Sequence, residues 1–88
     1  MKSAIVTGAG AGIGEAISKK LSDNNYRVGM LDLNQDNVIE ASKKIDNTTP
    51  LYGDVTQEES IVEAFKEFGE TPDLLVNNVG IVLFGPLE

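Results

Sequence analysis

Every second residue from Gly8 to Gly14 is a glycine, in the run Thr7-Gly8-Ala9-Gly10-Ala11-Gly12-Ile13-Gly14. No other feature restricts so strongly what this chain can fold into. Glycine supplies backbone angles closed to other residues and lets two segments approach closely. The flanks give the turn its setting. Ala4 to Thr7 is a short apolar run with strand character, and from Gly12 to about Asn24 the residues Ile13, Ala16, Ile17 and Leu21 recur at helical spacing. The spacing predicts a strand, a glycine turn and an amphipathic helix whose apolar stripe those four residues form.

The alternation continues to the end of the chain. Arg27 to Asp32 reads as a second strand, interrupted by Gly29. Asn34 is placed to cap a second helix in which Val38, Ala41 or Ser42, and Ile45 share a face. A third strand is expected over Thr49 to Asp54. Thr56 followed by Glu59 has the pattern of a capping box, ahead of a helix lined by Ile61, Phe65 and Phe68 and ended by Gly69. Asp73 to Asn78 holds Leu74, Leu75 and Val76, a run patterned for burial on both faces. Strands separated by single amphipathic helices imply βαβ units and a parallel sheet. Right-handed crossovers then give an α/β, Rossmann-type doubly wound sheet of about four strands with three helices, in the order 3-2-1-4 if the arrangement is the standard one. Pro50 suits the edge position of the third strand, because proline cannot donate to a ladder.

Composition bounds the rest. At 88 residues the chain is one domain at most, spanning 1–88, and 41% hydrophobic with 24% charged residues is ordinary for a globular protein. Its net charge is -7 and its basic residues are scattered, which argues against nucleic acid or an anionic membrane as partner. Without Cys or His it has no disulfide, thiolate nucleophile or imidazole base, and it lacks the usual zinc ligands. The acidic row Glu59, Glu63 and Glu67 reads as a solvated helix face rather than a metal site. Lys43 and Lys44 suit the dipole at a helix end. No apolar segment reaches signal-peptide or membrane length, so a cytoplasmic location is expected.

Two features carry chemistry. The glycine turn leads straight into a helix start, where uncapped amides and about half a positive charge can receive a pyrophosphate with no side chain blocking its approach. A glycine cluster alone would serve equally as a flexible turn; its place between strand and helix favours phosphate binding. The second feature is Asp32, at the end of the second strand. A carboxylate there can accept hydrogen bonds from both hydroxyls of an adenosine ribose. A 2′-phosphate would meet like charge, costing roughly 4 kcal/mol at about 4 Å before screening. No Arg or Lys stands at Ala11, Leu33 or Asn34 to offset it. NAD(H) is therefore the expected cofactor.

With these features in place, the glycine segment resembles the T-G-x-x-x-G-x-G motif of the short-chain dehydrogenase/reductase family rather than the more familiar G-x-G-x-x-G. Asp54-Val55-Thr56 resembles that family's adenine-contacting motif after strand 3. Asn77-Asn78-Val79-Gly80 resembles its N-N-A-G, with Val79 in place of alanine. The resemblance covers the whole chain. It implies a cofactor site made of Gly8, Gly10, Ala11, Gly12, Ile13, Gly14, Asp32, Leu33, Asp54, Val55, Asn78 and Gly80. Asp54 would face the adenine amino group and Val55 would border the ring. Asn78 and Gly80 would lie beside the cofactor ribose, while Asn77 would lock the central strands.

The family's chemistry uses a Ser and a Tyr-x-x-x-Lys pair to exchange a proton with an alcohol or ketone. Here Tyr26 is followed four residues later by Met30, and Tyr52 by Thr56, so no catalytic residue is expected in these 88 residues. The resemblance implies the front part of a longer, NAD-dependent oxidoreductase. The alternative is a non-catalytic nucleotide-binding or interaction module that is complete at this length. Relatives that handle flavins or nucleoside sugars fit less well, since Asn77-Asn78 belongs to the shorter family. The uncharged fourth strand and the apolar Ile81 to Phe84 run predict self-association, or pairing with a missing C-terminal part.

Overall fold

The structure, a computed structural model, describes residues 1–78. Expectations for Val79, Gly80 and the Ile81 to Phe84 run lie outside the described residues. The elements follow in strict alternation: β1 (Lys2–Thr7), α1 (Gly12–Asp23), β2 (Tyr26–Asp32), α2 (Gln35–Lys43), β3 (Thr48–Tyr52), α3 (Glu58–Phe68) and β4 (Leu74–Val76). The strands form one parallel sheet in the order β3-β2-β1-β4, as the pattern predicts. In register, Val6 lies opposite Met30 and Val76, and Met30 lies opposite Pro50. Pro50 thus sits on an edge strand of the described sheet, where its missing N–H costs least.

Successive side chains of a strand point to opposite faces, and the core divides accordingly. On one face Val6, Val28 and Met30 pack against Val38, Ala41 and Ile45 of the α2 region, with Ile17 and Leu21 of α1 beside them. On the other, Ile5, Leu31 and Leu51 pack against Ala64 and Phe68 of α3. The interruption at Gly29 has a packing reason. A Cβ there would lie 2.8 Å from Leu51 Cδ1 and 2.9 Å from Phe68 Cδ1, so the missing side chain makes room for the Phe68 ring.

Asn34 caps α2 by accepting from the Asn37 N–H at 3.0 Å, and Gly69 ends α3 in the left-handed region at φ 90°. Beyond α2, Lys44 pairs with Glu15 of α1 at 3.1 Å.

Three expectations need correction. Ile13 is 70% exposed and Ala16 is also exposed. The inward face of α1 is Gly14, Ile17, Ser18 and Leu21, because the helix start lies so close to the turn that only a glycine fits beneath it. The capping box at Thr56 and Glu59 does not form. Gln57 precedes α3 without a side-chain cap, and the Thr56 hydroxyl donates to Asp54 Oδ1 at 2.7 Å instead. The helix starts one residue later than the pattern requires, so Thr56 stands ahead of the cap position that Gln57 occupies. Lastly, Leu74 and Leu75 are 39% and 52% exposed. Among the described residues β4 has a strand neighbour on one side only.

Candidate functional site

The glycine turn, the β2–α2 turn and the segment after β3 all lie at the carboxyl ends of the strands. That is where open α/β sheets bind ligands. Gly8 and Gly12 both adopt the left-handed region, at φ 64° and 59°, so the turn needs glycine at these two places. Ala11 is extended, and α1 begins after it with no side-chain cap. The N–H groups of the first helical turn have no carbonyl partner within the helix and suit an anion.

Gly14 plays a different part from its neighbours. A Cβ on Gly14 would stand 2.1 Å from the Gly8 carbonyl oxygen. Gly14 therefore lets α1 seat against the turn, and it lies beneath the turn rather than on its open side.

Asp32 links the pieces. Its Oδ2 accepts from the Gly10 N–H at 2.7 Å and its Oδ1 from the Asn34 N–H at 2.8 Å. A cleft of about 180 Å³ is lined by Gly8, Asp32, Leu33, Asp54, Val55 and others of the same loops. Leu33 is exposed at its mouth. Asp54 closes a small turn in which Oδ1 accepts from both the hydroxyl and the N–H of Thr56, at 2.7 and 2.9 Å. These two bonds hold its carboxyl below the ordinary range, the hydroxyl contributing most. The Asp54 N–H donates to Ser60 Oγ at 2.8 Å, which fixes the loop to α3.

The Asn pair ties β4 to β1. The buried Thr7 hydroxyl accepts from the Asn78 N–H at 2.8 Å and lies 3.1 Å from Asn77 Oδ1, to which it can donate. Asn78 Nδ2 donates to the Gly8 carbonyl at 3.4 Å. Of the expected site residues, the structure brings Gly8, Asp32, Leu33, Asp54 and Val55 to one cleft and joins Gly10 to it through Asp32. Asn78 stands against the turn, and Ala11, Gly12 and Ile13 are exposed at its open side. Gly80 lies outside the described residues.

Sequence reasoning did not foresee Gly53, whose N–H donates to the Asp32 carbonyl at 3.2 Å. A Cβ there would meet Leu31 Cδ1 at 3.0 Å and Ser60 Oγ at 3.1 Å. A glycine just before Asp54 was the available signal. A second, mostly apolar cleft of about 310 Å³ lies between α3 and β4, bordered by Thr7, Val55, Ile61, Phe65, Leu75 and Asn77.

The arrangement fits an adenine dinucleotide on physical grounds. It offers an uncapped helix start, a turn without side chains, and a carboxylate beside a cleft that Val55 makes partly apolar. Comparison with known proteins points the same way. The family model described as short chain dehydrogenase matches residues 2–88. A diacetyl reductase, (S)-acetoin forming, of Staphylococcus epidermidis is 31% identical over 98% of this chain and 36% of its own length. A probable NADP-dependent dehydrogenase of Haemophilus influenzae is 38% identical over 91% of this chain and 33% of its own. The crystal structure of a 3-ketoacyl-(acyl-carrier-protein) reductase from Brucella melitensis complexed with NADH aligns with a TM-score of 0.73 at 25% identity. It covers 84% of this chain and 32% of that one. The chain thus spans about a third of the length of the relatives it matches.

Proposed function

Because this chain belongs to the short-chain dehydrogenase family, we propose that it is the NAD(H)-binding portion of an oxidoreductase acting on an alcohol or ketone. When bound, the nicotinamide supplies the hydride acceptor or donor. The chain's own residues hold the other end of the cofactor. Gly8, Ala11, Gly12 and Ile13 offer the turn and helix-start amides to the pyrophosphate, with Gly10 tying the turn to Asp32 and Gly14 letting the helix seat. Asp32 accepts from the adenosine ribose beside Leu33. Asp54 and Val55 border the adenine, and Asn78 with Gly80 flanks the remaining ribose. The proton-transfer pair of the family has no counterpart in these 88 residues, so the chain supplies cofactor binding rather than the chemical step.

One observation carries the choice of NAD(H). Asp32 lines the cleft, while Ala11, Leu33 and Asn34 around it offer no positive charge. The relatives' names include both NADH and NADP, so the choice rests on this chain's own carboxylate. A 2′-phosphate would face like charge with no counter-ion, and a factor of ten in affinity is about 1.4 kcal/mol. Titration calorimetry with NADH and NADPH tests the proposal. NADH is expected to bind at least about tenfold more tightly; equal affinities, or a preference for NADPH, would overturn the assignment of Asp32.

A further inference from the structure

The Asp32 carboxylate is engaged twice within the chain itself. Oδ2 takes the Gly10 N–H, bridging 22 residues from β2 to the glycine turn, and Oδ1 takes the Asn34 N–H in the turn into α2. The glycine turn has a neighbouring tether to β2, the Ala9 N–H donating to the Leu31 carbonyl at 3.1 Å. That bond is backbone to backbone and survives any substitution of side chain. The Gly10 bond depends wholly on the carboxylate. The fit is close: a Cβ on Gly10 would come within 2.8 Å of Asp32 Oδ2 and 3.0 Å of the Asn37 Cβ. An ionised carboxylate can accept both N–H groups, one on each oxygen. An asparagine amide presents one acceptor and one donor group, so it serves only one of the two.

We propose that Asp32 is a positioning residue for the phosphate-binding turn, acting through Gly10, in addition to any bond it makes to ribose. The inference rests on the nucleotide-binding reading given above. Its consequence runs against simple electrostatics. A carboxylate near a bound pyrophosphate repels it, so neutralising Asp32 should tighten any phosphate ligand that makes no use of ribose hydroxyls. Positioning demands the reverse, because the turn loses the bond that orders it.

The test compares the 88-residue chain with Asp32→Ala, which leaves no acceptor for the Gly10 N–H, each titrated with adenosine diphosphate and with its 2′,3′-dideoxy analogue, which has no hydroxyls for Asp32 to accept. If Asp32 only binds ribose, the substitution weakens the parent nucleotide and leaves the dideoxy analogue unchanged or tighter. Positioning predicts that the dideoxy analogue also weakens, by about tenfold, the scale of one charge-assisted hydrogen bond. Unchanged or tighter binding of that analogue overturns the proposal. Amide hydrogen exchange on the ligand-free wild type provides a second measurement, independent of whether the variant folds. Slow exchange at Gly10 supports the clamp, and exchange at the rate of an open loop overturns it. If the wild type binds neither nucleotide, the nucleotide-binding reading fails, and the Gly10 exchange rate still decides the clamp.

Discussion

At the scale of single residues the site is built from short loops held by carboxylates. Asp54 shows the effect on titration. Its carboxyl is lowered by the Thr56 hydroxyl and N–H, so its folded-state value lies below its unfolded one. The stability this contributes is present above the ordinary carboxylate value, near pH 4, and is lost as pH falls through the lowered folded-state value. Thr56→Val removes the hydroxyl and keeps the N–H. Its expected outcome is an Asp54 titration midpoint shifted upward, toward the ordinary range, with the fold intact. Carbon-detected NMR of the side-chain carboxyl would show this, and an unmoved midpoint would remove the hydroxyl from the account. Thr56 also marks an error of sequence reading. Followed by Glu59 it has the form of a helix cap, but α3 begins only at Glu58, which puts Gln57 at the cap position and leaves Thr56 to the Asp54 turn.

Between elements, the sheet and α3 meet through a vacancy on one side and a ring on the other. Gly29→Ala would push a Cβ into Leu51 and Phe68, and overpacking of this kind costs about 1–3 kcal/mol. Because one ring supplies two of the close contacts, a shorter Phe68→Leu in the same chain should restore part of that loss. Urea unfolding of both singles and the double would measure it. Strictly additive losses would mean that Gly29 is required for another reason.

The alternation of strands and helices was legible from periodicity. The sheet order, and with it the edge place of Pro50, followed from taking the standard doubly wound arrangement, since chirality alone allows other orders. The Asn34 cap and the Gly69 stop were legible from local chemistry. The phase of α1 was not. Ile13 is apolar and correctly spaced, but the tight seat of Gly14 against the Gly8 carbonyl turns Ile13 outward, and no periodicity encodes a backbone contact. Of the site, the turn and Asp32 were read from motif and position. The Gly10 clamp was not, since a hydrogen bond across 22 residues leaves no local trace.

At the scale of the whole molecule, Leu74 and Leu75 are exposed on β4, and Leu75 borders the apolar cleft between α3 and β4. Apolar strand edges without a covering charge recruit other strands. The 88-residue chain in isolation is therefore expected to self-associate. Light scattering over a dilution series should show a mass that rises with concentration, and Leu75→Lys should reduce that rise; a single monomer mass throughout would contradict it. The central claim is that a nicotinamide dinucleotide lies across the carboxyl ends of the strands with its adenosine between Asp32 and Asp54. Amide shift mapping of the labelled chain during NADH titration tests it most directly. The account predicts saturable shifts at Gly8 to Gly14, Leu33 and Val55, with Ile61, Phe65 and Leu75 of the α3–β4 cleft unaffected. Shifts confined to Ile61, Phe65 and Leu75, or none at saturating NADH, would contradict it.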